Sequence, residues 1–143
     1  MKELFNEEYL ECHFDKSSSI VYHIWKRDPT SEQFRSGLLR VYNLYGELSK
    51  DHGYLHWLAD TQHLTVVSLE DQKWLDETWN ELLFVEGGVK SHAVIVGDDV
   101  FAKYAMNKFK IAMQEKYADQ EIQLETFTDE QSAYDWFASL SIS

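Results

Sequence analysis

Polar and apolar residues alternate along residues 9–14, with Leu10, Cys12 and Phe14 on one side and Tyr9, Glu11 and His13 on the other. Period two is the pattern of a half-buried strand. "DKSSS" then reads as a turn. "IVYHIW" (20–25) is a β-branched and aromatic strand, so the two runs predict an antiparallel hairpin. Asp28-Pro29 ends it, and Thr30 or Ser31 can cap a helix. Phe34, Leu38, Val41, Tyr45 and Leu48 recur at helical spacing up to Gly53. Gly37 and Gly46 inside this helix cost about 1 kcal/mol each relative to Ala, unless close packing on a sheet requires them.

"YLHWLAD" (54–60) is almost continuously apolar, as a strand covered on both faces would be. From Ser68 a second helix carries Leu75, Trp79, Leu82 and Leu83 inward, with Trp74 at the edge of the stripe, and Gly87-Gly88 stop it. "SHAVIVG" (91–97) is another buried strand. Asp98 or Asp99 caps a third helix with Phe101, Tyr104, Ala105, Phe109, Ala112 and Met113 on one face. "EIQLETF" (121–127) alternates as a strand. Thr128, at capping-box spacing from Gln131, opens a last helix with Ala133, Trp136, Phe137 and Leu140 inward. The predicted order is β-β-α-β-α-β-α-β-α. It implies a single α/β domain over 1–143, with a mixed, mostly parallel sheet of about five strands covered by helices.

Composition narrows the function classes. With 44% hydrophobic and 15% aromatic residues the chain is globular. The formal charge of −12 repels phosphate backbones and anionic lipid, so nucleic acid is not an expected partner. The one cysteine, Cys12, agrees with a reducing compartment. The N-terminus lacks the apolar run of a signal peptide, and the longest clean apolar run, "AVIV", is too short to span a membrane. A cytoplasmic protein without membrane insertion is expected.

The element order, and the run "LADTQHLTVVSLEDQKWLDETWNELL" followed by "GGVKSHAVIVGDDVFAKYAMNKF", resemble the STAS/SpoIIAA-like domains, which include anti-sigma-factor antagonists and CRAL-TRIO-like bacterial relatives. The resemblance implies a SpoIIAA-like fold and a non-enzymatic regulatory module that binds another protein or a second copy of itself. In antagonist members a Ser or Thr at the start of the helix after the third strand is phosphorylated by a partner kinase. Asp60 and Ser68 are similar in placement, although no Asp-Ser-Ser-Gly-like run is present and no Gly follows Ser68.

Read from its neighbours, Ser68 is a helix cap, since Glu70 and Asp71 already complement the helix dipole and would repel a phosphate. Read from the resemblance, it is the phosphoacceptor. Asp60, Thr61, Gln62 and His63 lie at the carboxyl end of a central strand, where ligands bind in open α/β sheets, or else form a solvated turn. Trp74 is the residue most suited to cover a pocket beside that loop. The five tryptophans fit an aromatic core or the lining of an apolar pocket, so a carrier of a small apolar ligand or lipid is the alternative function. No metal-ligand spacing, nucleophile elbow or phosphate-binding glycine loop occurs, so neither metal nor cofactor is expected. The acidic helix 69–86 and Lys103, Lys108, Lys110 and Lys116 on the next helix suggest a charge asymmetry that could align two subunits.

Overall fold

The computed structural model of the protein describes residues 1–140, apart from the side chains of Phe101 and Ala102. It is an α/β fold built on one six-stranded mixed sheet. The strands are β1 Lys2–Asn6, β2 Leu10–Asp15, β3 Ile20–Trp25, β4 His56–Asp60, β5 Ser91–Ile95 and β6 Gln123–Phe127. The four principal helices are α1 Ser31–His52, α2 beginning Leu69–Trp74, α3 Val100–Lys116 and α4 Glu130–Ser139. β1, β2 and β3 form an antiparallel meander, and β3 to β6 are parallel. The expected count of five strands omits β1. In β1 only Phe5 is buried, and Lys2, Glu3 and Asn6 are exposed. An edge strand of this kind lacks the apolar alternation that reveals a strand in sequence.

Strand order follows chain order from one edge to the other. There is therefore no point at which the order reverses, and no switch-point crevice of the kind that receives ligands in doubly wound sheets. One face of the sheet packs with α1, α2 and α3 into the main core, which contains Trp25, Val41, Trp57, Trp79, Leu83 and Met113. The other face is covered by α4, where Ala133 and Phe137 meet Ile20, Tyr22, Leu58 and Ile95.

Helix starts follow local chemistry. Thr30 caps α1 in a full capping box with Gln33. The expected cap of α4 is corrected from Thr128 to Asp129. Its carboxylate accepts both the Ser132 amide (2.7 Å) and the Ser132 hydroxyl (3.0 Å), two bonds where a threonine hydroxyl would accept one.

The stripe of α3 is corrected too. Tyr104, Ala105 and Ala112 are exposed, and Met106, Phe109, Met113 and the following Tyr117 turn inward. The two possible stripes share Phe109 and Met113; packing of Met106, Met113 and Tyr117 on the main core fixes the second, with the ion pair of Lys110 and Glu125 of β6 (2.6 Å) on its flank. Phe101 lies outside the described side chains. The lysines of α3 serve contacts inside the chain: Lys103 with Asp98 (3.7 Å) and Lys116 with Asp76 of the second helix (3.8 Å).

The two glycines of α1 differ. A Cβ on Gly37 would stand 2.8 Å from Leu10 Cδ2 and 3.2 Å from Trp25 Cη2, both fully packed, so Gly37 lets α1 approach the sheet. A Cβ on Gly46 would meet nothing within 4 Å. Gly37→Ala is expected to destabilise by about 1–3 kcal/mol through overpacking. Gly46→Ala should stabilise by up to about 1 kcal/mol through helix propensity. Urea unfolding midpoints moving in opposite directions check the pair.

Candidate functional site

The face of the sheet under the helices alternates inward residues: Val21, His23 and Trp25 on β3, Trp57 and Ala59 on β4, His92 and Val94 on β5. The parallel register places His23 beside Ala59, and Trp57 beside His92. The two histidines are thus separated by two strand spacings and a two-residue offset, about 12 Å between their Cα atoms. Over them lies the second helix. After Leu69–Trp74 it continues without a break through π-helical stretches at Leu75–Trp79 and Leu82–Glu86. The Asn80 amide there bonds back five residues to the Leu75 carbonyl, and the Gly87 amide to the Leu82 carbonyl. Such stretches are rare and re-aim the side chains that follow them.

Between this helix and the sheet is a cavity of about 150 Å³. Trp25, Trp57, Trp79, Phe34, Phe84 and Phe109 provide its aromatic walls, and among the described residues no acidic or basic one other than His23 and His92 lines it. Leu64 and Val67 close it from the loop that follows β4, and Met106 from α3. The loop is tied down at both ends. Thr61 donates its hydroxyl to the Ile95 carbonyl (2.9 Å), and the Asp28 carboxylate accepts the Thr65 and Val66 amides (2.6 and 3.0 Å). The Thr65 hydroxyl, which also donates to this carboxylate (2.5 Å), and these two amides hold the Asp28 carboxyl below its usual range.

His23 and His92 are 1% and 8% exposed, and the Nδ1 atom of each is buried without a hydrogen-bond partner. Burial drives both imidazoles down to about 3, so both are neutral at physiological pH, and the proximity of His92 lowers His23 a little further. Orphaned buried polar atoms are uncommon in native cores and cost about 1–3 kcal/mol each.

Of the residues singled out in the sequence, Thr61 lines this cavity. Asp60 accepts the Gln62 amide (3.0 Å) in a local turn, Gln62 reaches the Thr128 carbonyl (3.4 Å), and His63 is exposed. Ser68 is an exposed cap whose hydroxyl accepts the Asp71 amide (3.1 Å). Asp71 does not return the bond as a capping box would. Its buried carboxylate accepts Ser31 Oγ (2.7 Å) and Arg35 Nε (2.8 Å) of α1, which lock the two helices together. Trp74 stands outside the cavity, stacked on Trp79 (5.9 Å) with the Arg35 guanidinium 5.5 Å from its ring.

His23, His92 and Asn80 were not among the residues singled out. The signal available for the histidines was parity: each alternates with apolar residues on the inward side of its strand.

Other polar groups offer less. His56 Nδ1 lies 2.5 Å from Ser91 Oγ, but Ser91 is wholly buried in the sheet, which denies it the access a nucleophile needs. Burial raises the Cys12 thiol to about 12, so it stays protonated and unreactive. A wider depression of about 600 Å³ by the β2–β3 turn is lined by Phe14, Leu48 and mostly exposed residues, among them Met1, Lys2, Lys16 and Ser17. Among the described residues no cluster of three metal-ligating side chains occurs, and no helix is long and apolar enough to cross a membrane. No family model matches the chain, and no curated protein or solved structure matches it.

Proposed function

We propose that the protein is a non-enzymatic binding protein that takes one small apolar molecule into the cavity between the second helix and the sheet. The observation that carries this reading is the cavity itself, about 150 Å³ of unfilled space walled by aromatic rings. Protein interiors are packed as densely as organic crystals. Unfilled space of this size leaves its lining short of packing partners, which a ligand of matching size supplies. Apolar cavities near this volume accept a single aromatic ring. The volume suits one ring rather than a lipid chain.

Toluene is the direct probe, and Trp25, Trp57 and Trp79 are built-in reporters in the wall. Titration is expected to give a saturable change in tryptophan fluorescence. Ala59→Leu, which sends a larger side chain into the cavity from β4, should abolish it while leaving the protein folded by circular dichroism. No saturable change in the wild type with either toluene or phenol, or the same change in the variant, would overturn the reading.

The SpoIIAA-like resemblance supplies a second reading, docking of another protein or a second copy beside Ser68. It is favoured by the exposure of Val66 and Leu69 on either side of that residue, at 67% and 82%. Its regulated form predicts one added phosphate on Ser68 after incubation with ATP and cell extract; an unshifted intact mass rejects that form.

A further inference from the structure

We infer that the molecule held in the cavity is a neutral, single-ring aromatic carrying a hydroxyl group, recognised through His23 or His92. This inference rests on the proposed function and specifies its ligand class.

Three observations converge. The first is the pair of orphaned atoms. Nδ1 of both rings is buried and unpaired, and both rings line the same cavity. A purely apolar guest would leave both unpaired. A neutral imidazole presents one N–H and one lone pair, and which of them sits at Nδ1 depends on the tautomer. A hydroxyl donates and accepts, so it completes either tautomer.

The second observation is charge. Both histidines are neutral, and among the described residues no lysine, arginine or carboxylate lines the cavity. A carboxylate or phosphate guest would be buried without a countercharge, in a chain whose formal charge is −12. An ammonium guest would find no buried anion. Only a neutral guest escapes both penalties. The third is shape. The walls are aromatic faces, with Trp57 between the histidines at 5.5 Å from His23 and 6.3 Å from His92, ring centre to ring centre. A flat ring fits against such walls in stacked or edge-on contact.

Phenol and toluene, matched in size and differing in the hydroxyl, test the inference by calorimetric titration of the full chain. In a wholly apolar cavity the hydroxyl loses its water bonds unrewarded, and toluene wins by a wide margin. Here phenol is expected to bind at least as tightly as toluene. The ratio of phenol to toluene affinity should fall at least tenfold in His23→Phe or His92→Phe, with toluene binding retained. Those variants keep the ring volume near that of the wild type, and the wild-type comparison of the two probes stands even if neither variant folds. If toluene binds and phenol does not, or the ratio is the same in wild type and both variants, the hydroxyl inference fails and the cavity reading survives. Binding of neither probe overturns both.

Discussion

Lowering the pH from 7.5 to 5 is expected to cost the fold about 4 kcal/mol, an effect centred on His23 and His92. Both are buried, and their imidazoles are depressed to about 3 in the native protein, against about 6.5 in the unfolded chain. Above 6.5 both are neutral in either state, and the full stability is present. Below that, the unfolded chain takes up protons that the native protein refuses. Stability then falls with pH until the native groups titrate near 3. For each histidine the loss between pH 7.5 and 5 is about 2 kcal/mol. Desolvation is the main cause for both, and no carboxylate in the cavity wall offsets it.

His56 is also lowered by burial and acts in the same direction. Asp15, Asp28 and Asp71 lie below the usual carboxylate range, so their contributions are lost at more acid pH, outside this window. Urea unfolding of the wild type at the two pH values measures the loss. His92→Phe should remove about half of it. Equal losses in the wild type, His23→Phe and His92→Phe would show that neither ring is held neutral in the core.

Much of the fold is legible in the chain, for identifiable reasons. Helices α1 and α4 have wide apolar stripes, and the Thr30 cap marks the start of α1. Strands β3, β4 and β5 are apolar runs too short for helices. What escapes is information that pattern does not carry. β1 is an edge with one buried residue, and so has almost no period. In α3 two stripes are written over the same residues, and the choice between them depends on packing against a core assembled from distant parts of the chain.

The site is less legible than the fold. The turn of Asp60 and the cap of Ser68 are local, and local spacing finds them. The partners of Asp71 lie on α1, so its spacing from Ser68 suggests a capping box that tertiary contacts replace. The position of Trp74 beside the loop suggests a cover for the pocket. Leu75 and Trp79, on the expected stripe, face the cavity, and Trp74 at the edge of that stripe is stacked on Trp79 outside it. A cavity is a shortfall of volume summed over three strands, two helices and a loop, and no stretch of sequence contains that sum.

Trp57→Ala is expected to lower stability by about 3–5 kcal/mol, and indole should restore part of that loss. Trp57 is 1% exposed at the centre of the sheet, with its ring against Tyr45 (5.5 Å), Trp79 (5.9 Å), His23 and His92. Its strand is held on both sides, by β3 at Val21 and by β5 at His92, so the backbone cannot move in to fill the gap. Truncation therefore joins an indole-shaped space to a cavity that already exists. A guest that binds only the native state stabilises it in proportion to saturation, by about 2.7 kcal/mol at a hundredfold excess over its Kd. Trp136→Ala is the control. Trp136 is half-buried on the opposite face, against Phe127 (5.6 Å) and Phe137 (5.2 Å), away from the cavity. Its removal opens a groove to solvent rather than a closed void. Indole should raise the unfolding midpoint of the first variant and leave the second unchanged. Equal shifts in both would mean that indole acts by general association with exposed apolar surface, and the cavity would then have no special claim as the binding site.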